Sequence, residues 1–223
     1  MIDPVECDAV CETPPDIVDI KDPSTGSLGM PDIRIIKEIR ARIPLGIPVS
    51  VAIGDAYNDV LLFRSRAEKA VLAGADIVKV GLYRFTDGVE AADFLASVSR
   101  GLDAEFIAVG YADLIGSSEI EILKLPEIAR NAGIEGCMLD TFHKTCAGLT
   151  GHMEMRDIRR FVERCRDLRL SSALAGGLGV NDIGWLTKLQ PGVAGFRSGV
   201  SGGARDEPGI DRMRLAGLIN RDL

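Results

Sequence analysis

The stretch AGADIVKVGL, residues 73–82, closes one element and opens another. Ala73-Gly74 stops a helical pattern with the residue type that accepts a left-handed turn. Asp76 to Leu82 then run almost wholly aliphatic, as a strand of a parallel sheet does. The exception is Lys79, between Val78 and Val80, and period-two alternation turns it to the face opposite both valines. A glycine-stopped helix feeding a buried strand is one step of a βα repeat, so the chain is read outward for more of them.

They recur along its whole length. Strands are expected at 16–21 (DIVDIK), 48–55, 76–82, 106–112, 136–141, 171–177 and 192–199. Between them, MPDIRIIKEIRARI, SRAEKAVLAG, GVEAADFLASVSRGL, KLPEIARNAG and MRDIRRFVERCRDL repeat apolar residues three or four apart, the helical period. Spacing of about 30 residues per unit favours a TIM (β/α)8 barrel, one catalytic domain over 1–223, rather than an open doubly wound sheet. Seven strands leave one unaccounted for. Only fifteen residues precede Asp16, and DPVECDAVCET uses nearly all of them in about three helical turns. The first strand is therefore expected to be missing or truncated, with a rearranged amino terminus, a neighbouring subunit or local disorder at the gap.

Composition narrows the function. With 46% apolar and 5% aromatic residues and a mean hydropathy of +0.14, the chain has the makings of a large aliphatic core. A net charge of -7 argues against nucleic acid or an anionic membrane as partner, while leaving room for a local anion site. Five scattered cysteines without a CxxC pair fit a reducing cytoplasm, and no run approaches the roughly 20 apolar residues of a membrane span. His143, Cys146 and His152 match no common metal spacing, so no metal and no cofactor is expected.

In a barrel the chemistry gathers where strands end. The ends here carry Asp19 with Lys21, then Asp55, Lys79, Tyr111 with Asp113, and Asp140 with Lys144 beyond it. Only seven of the 26 basic residues are lysines, so a lysine inside an aliphatic strand is not surface filler. Asp19 and Lys21 share a face, which allows an internal salt bridge at the barrel mouth. The other reading is nucleophilic: an amine in a partly dry site beside a second cation loses its proton readily and attacks a carbonyl to form a Schiff base. Asp19 and Asp140 then manage protons. The glycine-rich ALAGGLG (173–179) and GFRSGVSGG (195–203) follow the last two strands, where barrels commonly bind phosphate. Gly176, Gly177, Ser198 and Gly199 are the candidate anion ligands, and Arg197 either adds charge there or pairs outward.

These residues resemble the (5-formylfuran-3-yl)methyl phosphate synthase family of methanofuran biosynthesis. The motifs DIVDIKDPSTGSLG, VSVAIGD, DIVKVGLY, GYAD, MLDTFHK, ALAGGL and GFRSGVSGG carry the resemblance over almost the whole chain. It implies a lyase that joins two glyceraldehyde 3-phosphate molecules, with loss of phosphate and water. Lys21 would be the Schiff-base lysine and Lys79 the proton acceptor, with Asp19, Asp140 and Lys144 assisting. Asp55 and Tyr111 would bind substrate, and a homo-oligomer is expected. The chain departs from the family in lacking a lysine after GYAD and a cysteine in the last glycine loop. Two alternatives stay open: a class I aldolase-like enzyme on another sugar phosphate, and a sugar-phosphate-binding barrel without catalysis.

Overall fold

A computed structural model of the chain describes residues 1, 3–114, 120–143, 147–201 and 209–219. Seven parallel strands form one sheet in chain order: β1 (Val18–Ile20), β2 (Val49–Ala56), β3 (Ile77–Leu82), β4 (Glu105–Tyr111), β5 (Gly136–Asp140), β6 (Ser171–Leu174) and β7 (Val193–Ala194). Helices α1 (Cys7–Glu12), α2 (Ile33–Arg42), α3 (Val60–Leu72), α4 (Gly88–Ser99), α5 (Leu125–Ala132), α6 (Gly148–His152), α7 (Met155–Asp167), α8 (Ile183–Leu189) and α9 (Arg212–Ile219) accompany it.

The local causes are visible at the helix ends. Asp32, Asp59 and Asp87 each accept a backbone N–H from the first turn of α2, α3 and α4. At the other end, Gly74 (φ 101°) and Gly133 (φ 71°) close α3 and α5, with Ala75 N donating to Ala70 O and Ile134 N to Ala129 O. α7 ends in the same way on Arg169, a non-glycine residue at φ 58°.

The sheet separates two apolar layers. Val18, Ile20, Val49, Val51, Ile53, Val78, Val80 and Leu139 pack outward against the helices, among Phe63, Phe94 and Phe161. Ala52, Ile107, Val109, Tyr111, Met138 and Ala175 face the other way and gather around Leu28. That inner layer requires the sheet to curl. Laid flat, β1 and β5 would stand about 19 Å apart, four strand spacings. Yet Lys21, one residue past β1, lies 3.7 Å from Asp140 at the end of β5. The curl is that of a TIM barrel, with seven strands among the described residues.

Among the described residues no strand precedes Val18; a 3-10 turn at Pro4–Glu6 and α1 occupy that part of the chain. Met1 nevertheless touches the β1 edge, its amine donating to Asp19 O and its carbonyl accepting from Lys21 N at 3.1 Å, the spacing of a parallel bridge opposite Ile20. The last two strands are shorter than the expected 171–177 and 192–199. Gly176 (φ 97°) and Gly177 (φ 72°) take β6 out of extended conformation, and beyond Gly195 the chain closes a turn from Arg197 O to Val200 N. Glycines that end a strand read in sequence like glycines within one.

β2 carries the irregularity that matters most for the site. Ala52 pairs with Lys79, but Asp55 pairs with Gly81, so three residues of β2 answer two of β3. Gly54, at φ 121°, absorbs the extra residue. Without this bulge, alternation from the inward Ala52 would turn Asp55 to the helices.

Candidate active site

Lys79, at 5% exposure, is surrounded by inner-layer residues of β2 and β4, its register partners being Ala52 and Ile107. Its amine meets Asp19 Oδ1 of β1 at 2.6 Å. Lys21 lies nearer the mouth, its Nζ 3.7 Å from Asp140 Oδ2 and donating to Ser27 O at 3.3 Å. Asp19 and Lys21 thus share a face but not a bond: each lysine takes the carboxylate of a different strand, and the local Asp19–Lys21 salt bridge does not form. Burial acts to raise the Asp19 carboxyl, but the Lys79 charge and ion contact outweigh it and hold Asp19 down at about 2. Asp140 is anchored separately, Oδ1 accepting Thr141 N at 2.8 Å.

A third pair completes the inner ring. Tyr111 donates its hydroxyl to Asp55 Oδ1 in a short contact, and Leu28 N donates to Asp55 Oδ2 at 3.4 Å. Burial first, and then the adjacent carboxylate, push the Tyr111 hydroxyl well above the ordinary tyrosine range. Gly81 makes the room for them, since a Cβ there would overlap the Tyr111 hydroxyl and stand 2.6 Å from Asp55 Oδ1.

The two glycine loops meet beyond β6 and β7. A Cβ on Gly199 would lie 3.1 Å from Leu178 O and 3.2 Å from Gly179 Cα, so the loops touch backbone to backbone. Gly176 lies against Thr141, and its carbonyl accepts Leu149 N at 2.7 Å. Among the described residues the enclosed Ser198 hydroxyl has no hydrogen-bond partner. Arg197 reaches instead to Glu6, whose buried carboxylate it meets at 2.7 Å. The pair joins residues 191 positions apart and lies partly buried rather than outward.

Lys144 lies outside the described residues, but the chain leading to it does not. Phe142 N and His143 N both donate to Asp113 at 2.6 Å, and His143 Nδ1 is 3.0 Å from the same carboxylate. Phe142 also stacks on Tyr83, with centroids 4.8 Å apart and planes within 6°. Asp113 is therefore the clamp of the β5 loop, a role its sequence position two residues after Tyr111 signals only as another acid at a strand end. Among the described residues no group of three or more His, Cys, Asp or Glu could hold a metal ion, and no helix is long and apolar enough to cross a membrane.

The family model described as 4-HFC-P synthase matches residues 1–218. The chain belongs to this family. It is 36% identical over 213 residues to the (5-formylfuran-3-yl)methyl phosphate synthase of Methanococcus maripaludis, covering 93% of this chain and 87% of that one. Against the synthase of the same name from Archaeoglobus fulgidus it is 36% identical over 196 residues, 85% of this chain and 83% of the other. Solved structures extend the likeness at the level of fold. Phosphoribosyl anthranilate isomerase of Thermus thermophilus aligns with a TM-score of 0.67 at 13% identity, over 98% of this chain and 93% of that one. The aldolase QR15 aligns at 0.66 and 15%, over 98% and 90%.

Proposed function

We propose that this 4-HFC-P synthase family member condenses two molecules of glyceraldehyde 3-phosphate into (5-formylfuran-3-yl)methyl phosphate, a step of methanofuran biosynthesis, through a Schiff base on Lys21. Phosphate and two waters balance the equation. The observation that carries the assignment is the pairing of Lys21 with Asp140 and of Lys79 with Asp19 inside one ring.

Lys21 attacks the carbonyl of a triose phosphate, and Asp140, itself fixed by Thr141 N, takes up and returns the protons of imine formation. Lys79, in its neutral form, is the proton acceptor for the carbon acid that the imine creates. Asp19 stays a carboxylate beside it and balances its charge. The glycine loops, with Gly176, Gly177, Gly199 and the enclosed Ser198 hydroxyl, receive a substrate phosphate. Lys144 acts from the loop that Asp113 clamps, and Arg197 supports the phosphate side from its Glu6 ion pair. One catalytic domain over 1–223, a homo-oligomer and a cytoplasmic location complete the proposal.

Incubation with glyceraldehyde 3-phosphate should produce a furan absorbance together with free phosphate. Borohydride added during turnover should trap an adduct on the Lys21 peptide. Lys21→Arg should abolish both, because a guanidinium keeps its proton and cannot add to a carbonyl. An adduct on another lysine, or furan formation by Lys21→Arg, refutes the assignment.

A further inference from the structure

The peptide unit joining Ser27 to Leu28 has two neighbours of opposite charge. Its carbonyl accepts from Lys21 Nζ at 3.3 Å, and its N–H donates to Asp55 Oδ2 at 3.4 Å. The Schiff-base amine and the Asp55 carboxylate are thus one peptide apart. Asp55 is partly exposed toward the mouth, while its other partner, Tyr111, is 4% exposed. Gly26 and Gly81 keep the space around the carboxylate clear, since a Cβ on either would stand 2.7 Å or 2.6 Å from an Asp55 oxygen. The bulge at Gly54 turns Asp55 inward. All these features serve a group that the two lysine pairs do not need.

We propose that Asp55 is the proton carrier for the final loss of water, the step that makes the furan aromatic, and that Tyr111 and the Leu28 N–H are the donors that position it. The inference rests on the furan-forming reading above. In the step, the Asp55 carboxylate takes a proton from a ring carbon and the C–H electron pair becomes the ring double bond. The bond from the neighbouring carbon to its hydroxyl breaks, and the hydroxyl leaves with that same proton as water. Asp55 returns to a carboxylate, so no co-reactant is consumed. Hydroxide is a poor leaving group and needs this proton; phosphate leaves as a stabilised anion and does not. Tyr111 keeps its own proton throughout and acts only through Asp55, as a positioning residue.

The test follows phosphate and furan separately, with glyceraldehyde 3-phosphate as substrate. Asp55→Asn should lower furan formed per phosphate released about 100-fold or more, the usual weight of a lost acid–base group. The adduct trapped on Lys21 by borohydride should then be heavier by one water. Tyr111→Phe, which keeps the ring and removes only the hydroxyl, should uncouple the two products in the same direction by a smaller factor, and it carries the test alone should Asp55→Asn not fold. Furan formation at the wild-type rate, or phosphate and furan falling together in a variant whose urea midpoint is unchanged, overturns the role of Asp55. Absence of furan from the wild-type protein instead overturns the reading on which it rests.

Discussion

Asp113→Ala removes a buried carboxylate that holds the end of the β5 loop. The Asp113 side chain is 2% exposed and accepts two backbone N–H groups at 2.6 Å, with His143 Nδ1 at 3.0 Å. Hydrogen bonds to a charged acceptor contribute about 1.5–3 kcal/mol each. The His143 end is open to water, which replaces part of what is lost, so the expected cost is about 3 kcal/mol for the two backbone bonds together. For a domain of this size, such a loss lowers the melting temperature by roughly 6–12 °C. Urea denaturation should show a lower midpoint at unchanged slope. Burial acts to raise the Asp113 carboxyl, yet the Phe142 and His143 N–H groups dominate and hold it below the ordinary value. A carboxyl depressed in the folded state contributes stability above its unfolded pKa of about 3.9 and loses it as pH falls through the folded value. The difference between wild type and Asp113→Ala should therefore be full at pH 7 and shrink below about pH 4. Because the clamped segment leads into Lys144, furan formation should fall as well. A cost under about 0.5 kcal/mol, or a difference that does not shrink in acid, would show that Asp113 clamps nothing.

Gly81→Ala should cost about 1–3 kcal/mol by overpacking and should slow furan formation, because the new methyl displaces Tyr111 from Asp55; a thermal melt beside the activity assay checks both. Lys79→Met takes away the largest force lowering Asp19, so the carboxyl titration followed by carbon NMR should move up from about 2 toward the ordinary aspartate range, and a midpoint that stays put would place Asp19 outside the Lys79 field. Glu6→Ala removes the buried carboxylate that Arg197 and Gly209 N both meet and should destabilise the protein by on the order of 3 kcal/mol in urea; a silent substitution would mean that the contact between the 3-10 turn and the β7 loop holds nothing together.

The repeat of buried strand and amphipathic helix is legible in the chain because it rests on local rules. Aliphatic runs such as DIVKVGL make strands, aspartates cap helices and glycines end them, each through contacts within a few residues. The inward turn of Lys79 follows from alternation alone, and Asp19 and Lys21 share a face for the same reason. The motifs around these residues sufficed for the family. Partners were decided elsewhere. Lys21 chooses Asp140 and Lys79 chooses Asp19 because the sheet curls, bringing β1 to β3 and β5 across the interior. Arg197 is drawn to Glu6, a pairing that no spacing announces, because the folded chain brings the 3-10 turn beside the β7 loop. Asp113 looks like one more acid at a strand end until the β5 loop lies across it. Asp55 shows the limit most plainly: period-two counting from Ala52 sends it outward, and only the register shift at Gly54 brings it to Tyr111. A bulge is settled by pairing with a neighbouring strand, and that pairing exists only in the assembled sheet.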